Sequence, residues 1–492
     1  MSLSHWSWLP AGNLIWPQRS IDVKPIKLFS YFVQMRKFKW IVGILLLLII
    51  ILASVGSYFF FPIMSGFSAK AACSCVFNSG RLLQDVVANE LSVLPLNFTS
   101  VTINNKDSSA TASVFGFAIK KAIFRRGLGC TLLNRTNEKD LRKTQFIPTQ
   151  STRLTPDSVE WPLGNKNLFS SQTSYDSNAL HQAFDYAFTT SGNKSKFGTR
   201  SLIVVHHGKI IKEQYLKGYT PDMPQTGWSM SKSITNALIG ILVKQGRLSV
   251  NQNNLFAKWA QDDRKQITLG NLLNANSGLA WKEVYNLPSP ATKMLYGQDD
   301  MPRFAMNFPL EEKPGTHFKY SSGTSNMLSG IIRQKAGAGY YNFVYDKLFT
   351  KIGMYSAVME PDAGGTFVGS SYCFASARDW ARFGLLYLND GIINGERILP
   401  EGWVKYTATP AAGALKGEYG AQFWLNAGEP GNPANRTYPD VPTDCFFAEG
   451  YQGQQVFIIP SYDAVIVRLS LQNTKEFDEN KFLAEVLQAI KK

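Results

Sequence analysis

Histidine and cysteine are scarce in this chain, and neither is spaced to hold a metal. The five histidines form no H-E-x-x-H pair, and Cys73, Cys75, Cys130, Cys373 and Cys445 match no zinc-ligand spacing. No metal site and no cofactor are therefore expected. Charged residues are also few, at 18% of the chain, and no long Lys/Arg run occurs. The formal net charge of +15 thus builds no nucleic-acid patch; the scattered basic residues are read as a sign of nearness to an anionic membrane. Internal repeats are lacking. A hydrophobic share of 45% excludes a disordered chain, and 492 residues predict a large domain plus a smaller module.

What the sequence does contain, early on, is a 21-residue run without charge, Ile41–Phe61 (IVGILLLLIIILASVGSYFFF). As a helix it is long enough to cross a hydrocarbon core of roughly 30 Å. Arg36, Lys37 and Lys39 precede it, and the next basic residue is Lys70. Positive flanks stay cytoplasmic, so residues 1–40 are expected in the cytoplasm and 41–62 as a single-pass transmembrane anchor. The C-terminal bulk then lies on the extracytoplasmic, periplasmic side. A cleaved signal peptide is the rival reading; against it stand the length of the apolar core and the lack of a small-x-small site. Lys70 occupies the apolar position that a lipobox before Cys73 would need. The string MRKFKW at Met35 resembles the start of an anchor sequence, so translation is expected to begin there; N-terminal sequencing that finds earlier residues would refute this. An exported compartment permits disulfides, and Cys130 with Cys73 or Cys75 is the expected pair. The odd cysteine count leaves at least one thiol unpaired.

Residues 71–146 read as a small N-terminal module. Gly80–Leu94 has helical periodicity, while Val101–Asn104 and Thr111–Gly116 alternate like strands. Residues 147–174, rich in Ser, Thr, Pro and Asn, read as a linker or a wrapping segment. From residue 175 to 492 a different rhythm holds. Ala179–Thr190 predicts an amphipathic helix, and Leu202–Val205 with Ile210–Tyr215 a hairpin. Val456–Ile459 and Ala464–Leu469 predict late strands, and Glu476 to Lys491 a last helix. The middle is helix and loop. The two ends are expected to share one sheet with the helical segment beside it, an α+β arrangement.

Ser229-Met230-Ser231-Lys232 opens a segment whose apolar residues, Ile234, Ala237, Leu238, Ile241 and Leu242, mark one buried helix face. A serine and a lysine three apart share that face. A hydroxyl of normal pKa needs a base within hydrogen-bond reach, and a lysine desolvated in a cleft can supply it. A second S-x-x-K, Ser191 to Lys194, lies in a polar loop with no helix behind it and is set aside as chance.

The Ser229 copy, preceded by Gly227-Trp228, resembles the acylation motif of the penicillin-recognising serine hydrolases. That resemblance implies a β-lactamase/penicillin-binding-protein-like fold, an antiparallel sheet flanked by helices plus a helical region, over roughly 175–492. Pro314–Gly323 is similar to the family's tyrosine loop, followed by a helix expected to start soon after Asn326. It implies Tyr320 as proton shuttle, with Ser322 where an asparagine is usual. Glu449–Gln455 stands where the family carries Lys-Thr-Gly or His-x-Gly. Tyr451 then occupies the cationic position, Gly453 keeps the glycine, and the N–H of Gln454 joins that of Ser229 as oxyanion hole. Ser277–Tyr285 resembles a segment of 6-aminohexanoate-dimer hydrolases and related esterases, which implies that Tyr285 reaches substrate. Ser376–Gly384 is similar to a structural helix, with Asp379 capping or ion-paired. Gly127–Cys130 looks like the N-terminal extension of a bacterial serine hydrolase subfamily. The expected function is cleavage of a small-molecule ester or linear amide through an acyl-enzyme on Ser229, by Lys232 and Tyr320. Two alternatives are a β-lactamase or D,D-peptidase and a non-catalytic ligand-binding domain on a membrane stalk. Trp281, Tyr285, Phe304 and Trp424 suggest an apolar acyl or leaving group.

Overall fold

The computed structural model describes residues 26–148, 156–169, 174–191, 194–286, 288–472 and 476–490. Its central element is a six-stranded antiparallel sheet assembled from both ends of the C-terminal two-thirds of the chain. The strand order is Trp424–Leu425, Phe446–Gly450, Gln454–Ile459, Ala464–Ser470, Thr199–His206, Lys209–Tyr215. Val467 pairs with Ile203 and Val456, which joins the late hairpin to the early one. Three of these strands are buried at every position, because both faces of the sheet are covered. Leu202, Val204, Phe457 and Ile466 meet the helices Ser177–Ala187 and Glu479–Ile490. Ile203, Val205, Val456 and Val467 point the other way, toward the helix Ala377–Leu388. That helix packs so closely that a Cβ at Gly384 would lie 2.4 Å from Val465. Asp379 pairs with Arg382 at 2.9 Å and accepts from Ser356 N at 2.8 Å, so its role is ion pairing.

Two helices carry the site. Ser231–Lys244 is buried from Ser231 through Leu242, and it packs against Ser322–Ala336. The second helix starts at Ser322, earlier than the expected start after Asn326, because Ser321 caps it by accepting from Thr324 N at 3.1 Å. Gly323 permits that early start, since a Cβ there would meet the Trp281 ring at 2.8 Å.

At the N-terminal end a single helix runs from Ile26 to Phe77, so the expected span 41–62 is the middle of a 52-residue helix. Among the described residues, Val33–Phe77 is the one helix long and apolar enough to cross a membrane. Contacts divide the chain into two units with the boundary between Ser57 and Tyr58. Within the second unit, Thr99–Asn104, Ser109–Val114, Phe117–Arg125 and Gly129–Leu133 form a four-stranded antiparallel sheet. The last two strands go beyond the two that alternation predicts, and the helix expected over Gly80–Leu94 is shorter, Leu83–Asn89. Cys73 bonds Cys130, while Cys75, Cys373 and Cys445 are free and buried. Beside the disulfide, the buried Glu360 carboxylate pairs with Lys70 and accepts from Ser74 Oγ, Asn78 Nδ2 and Cys130 N. The described part of the linker, 156–169, wraps the sheet. Trp161 Nε1 donates to Gly208 O at 2.8 Å, and the Arg382 guanidinium lies 4.5 Å over the Trp161 ring. Gly192 and Asn193 of the second S-x-x-K lie outside the described residues.

Candidate active site

Gln225-Thr226 leads through Gly227 into one 3-10 turn, Trp228–Met230, and then into the helix Ser231–Lys244. Trp228 has φ +46°, a left-handed backbone that a bulky residue rarely adopts. Such strain, about 1–3 kcal/mol per residue, persists where the surroundings over-determine the chain. They do so here: Gly227 N donates to Cys373 O at 2.8 Å, and a Cβ at Gly227 would lie 2.3 Å from the Trp380 ring. The turn leaves Ser229 half-buried beside a cavity, with Met230 fully buried behind it.

Lys232 lies one turn further on. Its Nζ is 3.1 Å from Ser229 Oγ, 3.0 Å from Ser322 Oγ and 3.0 Å from Ser370 O. Burial brings its pKa down from 10.5 to about 8, and the Glu283 carboxylate pulls the other way. Tyr320 stands just before the helix Ser322–Ala336. Its ring stacks on Trp424 at 5.3 Å, and Lys232 Nζ is 4.7 Å from its centroid. Burial holds the Tyr320 phenol well above its ordinary 10. The tyrosine therefore stays protonated and can relay a proton, whereas Lys232, in its neutral form, can accept one, a form that gains as pH rises through about 8.

The edge of the sheet closes the other side. A Cβ on Gly450 would lie 2.1 Å from Gly227 O and 3.1 Å from Ser229 N, an approach only glycine allows. The backbone that reaches the serine is thus Gly450–Tyr451. This corrects the expectation for Gln454. That residue sits across the strand pair from Gly450, does not line the cavity that holds Ser229, and donates its amide to Tyr451 O and Gln452 O. Two glycines compete in this motif, and the strand end, which sequence alone does not locate, decides which faces Ser229. Gly453 lines the cavity at φ +78°, but its Cβ position is filled by Arg468 Nη1 and Ser470 Oγ, each at 2.7 Å. Tyr451 is exposed at the cavity rim and meets Trp228 edge-on at 5.8 Å; with Gly450 as the glycine at the serine, the cationic position falls on Ala448 instead, which carries no charge.

Glu283 was not singled out by the motifs, yet it organises the cleft. It accepts from Trp281 Nε1, from Tyr285 OH, from Ser322 N at 3.0 Å and from Ser322 Oγ at 2.5 Å. Tyr285 OH also lies 3.2 Å from Ser322 Oγ, so the structure brings Tyr285, Ser322, Glu283 and Lys232 into one network. The sequence signal was an acid between two aromatics, Trp281-Lys282-Glu283-Val284-Tyr285. Of the four aromatics expected at the substrate, Tyr285 and Trp424 line the cavity; Trp281 is buried and Phe304 packs on Phe308. Among the described residues, no cluster of three or more His, Cys, Asp or Glu side chains could hold a metal.

The Beta-lactamase family model matches residues 184–489. The chain belongs to the β-lactamase family. A 6-aminohexanoate-dimer hydrolase of Paenarthrobacter ureafaciens is 24% identical over 298 residues, 55% of this chain and 72% of its own length. A Bacillus anthracis structure, assigned provisionally as a 6-aminohexanoate-dimer hydrolase, superposes with a TM-score of 0.53 at 20% identity. The match covers 72% of this chain and 97% of that one. EstCE1, described as a hydrolase with promiscuous acyltransferase activity, superposes with a TM-score of 0.51 at 14% identity, covering 64% and 98% of the two chains. These relatives are hydrolases of the β-lactamase fold, and the α+β architecture expected from the sequence is the one this chain adopts.

Proposed function

We propose that this β-lactamase-family chain is a membrane-anchored serine hydrolase that cleaves an ester or linear amide through an acyl-enzyme on Ser229. One observation carries the reading: Ser229 Oγ faces a buried Lys232 amine 3.1 Å away whose pKa has fallen to about 8. In acylation Ser229 Oγ bonds to the carbonyl carbon, its proton passes to Lys232 Nζ, and the carbonyl π electrons move to oxygen. The N–H groups of Ser229 and Tyr451, where Gly450 backs onto the nucleophile turn, would hold that oxyanion. The bond to the leaving group then breaks, its heteroatom takes the Tyr320 proton, and Lys232 restores that proton to the phenol. Water attacks the acyl ester by the reverse route and frees the acid and Ser229. Glu283 acts as a positioning residue, fixing Ser322 and with it Lys232. The anchor reading rests on the apolar helix and on Arg36, Lys37 and Lys39 ahead of it, which favour an extracytoplasmic C-terminal unit.

Ser322 stands where an asparagine would favour β-lactam chemistry, and neither Ala448, two residues before Gly450, nor Tyr451 carries a cation; both features weigh against turnover of penicillins. The test is hydrolysis of nitrophenyl butyrate and of nitrocefin by the full chain in detergent, beside Ser229→Ala. A fragment beginning at Ala71 would lack Ile63, Met64 and Phe67, which line the cavity. Butyrate turnover should fall by several orders of magnitude in the variant, with little nitrocefin cleavage in either. Equal butyrate rates would reject Ser229 as nucleophile, and rapid nitrocefin turnover would favour the β-lactamase reading. Absence of fluorophosphonate labelling at Ser229 would point to a binding domain.

A further inference from the structure

The cavity that opens on Ser229 has a volume of 940 Å³, far more than a short acyl group fills. Polar groups, Ser229, Glu283 and Tyr320, line one part of it, but another part is apolar and comes from outside the family-matched region. Phe60, Ile63, Met64 and Phe67 of the helix Ile26–Phe77 form it, together with Leu94 and Leu96. That wall continues onto the surface. Leu94 lines the cavity and is nevertheless 72% exposed. Beyond it stand Phe98, Phe115, Phe117 and Ile119, all exposed, with Phe117 at 69%. Phe115 lies 5.6 Å from Phe98 and 6.1 Å from Phe61, ring to ring. Ser65 Oγ donates to Ala118 O at 2.5 Å, which pins the hairpin tip to the helix just after its apolar run ends. Lys293 Nζ sits 6.0 Å over the Phe59 ring, a cation beside the same rim.

Water-facing surfaces seldom keep so many large apolar side chains together, whereas aromatic belts with nearby lysines are what a bilayer interface favours. Continuity decides between occupants. Phe61 belongs both to the apolar run and to the rim, so a bilayer that contains the run also reaches Phe115 and its neighbours. We propose that this rim seats on the membrane surface and that the cavity takes the acyl ester of a membrane amphiphile. The hydrocarbon chain lies along the helix wall and the ester carbonyl at Ser229. This rests on the anchored-hydrolase reading above. The step is ordinary acyl transfer: the acyl C–O bond breaks, Ser229 keeps the acyl group, the alcohol headgroup leaves with a proton from Tyr320, and water releases the fatty acid.

The test uses the full chain reconstituted in phosphatidylcholine vesicles. Phe117→Cys is labelled with acrylodan; Cys75, Cys373 and Cys445 are buried and stay unlabelled. Blue-shifted emission that brominated acyl chains quench is expected. Water-like emission overturns the seating, and so does a blue shift that brominated lipid leaves unquenched, as a contact between two copies would give. This arm needs no catalysis. In the second arm, wild type and Phe115→Asp/Phe117→Asp are given nitrophenyl butyrate in solution and methylumbelliferyl oleate dissolved in the vesicles. Butyrate rates should agree within about twofold, while oleate turnover falls about tenfold in the variant. Equal oleate rates, or a wild type that cleaves butyrate but not oleate, overturn the substrate class. If neither ester is cleaved, the hydrolase reading fails and takes the substrate class with it, while the label still decides the seating.

Discussion

Replacing Glu283 by Gln should move the pH profile of this enzyme downward, a direction that a merely structural role does not produce. In the proposed mechanism the neutral amine of Lys232 is the active form, so activity should be lost as pH falls through its pKa of about 8. Two hydrogen bonds of 3.0 and 2.5 Å meet at Ser322 Oγ, which places the Lys232 ammonium and the Glu283 carboxylate within about 5.5 Å. Coulomb's law at that distance gives about 3 kcal/mol for an effective dielectric near 20, or about two pK units. Glu283 is only half-buried, and solvent in the cleft reduces this to about one unit. Removing the carboxylate leaves the desolvation of Lys232 unopposed, so the acid limb should drop from about 8 to about 7. The plateau should fall too, because Ser322, Tyr285 and Trp281 lose a common acceptor. The assay is kcat/KM for nitrophenyl butyrate between about pH 5.5 and 9.5 in both proteins, normalised to each plateau. A limb that stays near 8 while the plateau drops would reduce Glu283 to packing. A limb that rises would mean that Lys232 is not the group titrating.

Gly450→Ala is expected to lower kcat/KM by about a hundredfold or more with the helical signal retained, because the new Cβ drives the Ser229 turn out of register. Circular dichroism and butyrate kinetics check it together. Glu360→Ala should cost about 3–5 kcal/mol of stability by leaving the Lys70 ammonium buried and unpaired, read as a lowered unfolding midpoint in detergent. Cys73→Ser opens a loop of 57 residues and should cost about 4 kcal/mol. Cys130 N donates to Glu360, so the Glu360 and Cys73 losses should sum to less than their separate values.

How much of the fold could be read from the chain follows from how local each signal is. The hairpin at His206–Lys209 and the two late strands were legible because runs of β-branched residues end at short polar turns. Their meeting in one sheet was legible from the order of elements along the chain. The strand Phe117–Arg125 escaped, since Lys120, Lys121 and Arg125 interrupt the apolar pattern, and Gly129–Leu133 escaped because five residues, Gly-Cys-Thr-Leu-Leu, show no alternation. The polar ends of the basic residues find partners only in the folded state: Lys121 pairs with Asp107 and Glu138, Lys120 donates to Asn134 Oδ1, and Arg125 donates to Thr131 Oγ1. The start of the second site helix was misplaced for a related reason. Gly323 is a poor helix residue until one sees that the Trp281 ring occupies the space where a side chain would stand.

The site divides along the same line. Ser229 and Lys232 sit one turn apart on one helix, so their geometry is carried by spacing alone and could be read directly. Tyr320 needed the family pattern, because nothing in its own neighbourhood separates a relay phenol from a packed one. Gln454 was misjudged and Glu283 overlooked because both depend on where separate segments meet. The backbone that approaches Ser229 is chosen by the contact of Gly450 with the turn at Gly227, and the network is chosen by the meeting of Glu283 with Ser322. Neither contact has a periodicity or a motif spacing to announce it. The apolar wall of the cavity is the extreme case. Ile63, Met64 and Phe67 lie just beyond the span expected at 41–62 and carry no motif, and only folding turns them into one side of the cavity that holds Ser229. Hydrophobicity alone does not tell a side chain that lines a cavity from one at the surface: Phe67 lines the cavity, whereas Phe61, six residues earlier, meets the exposed Phe115.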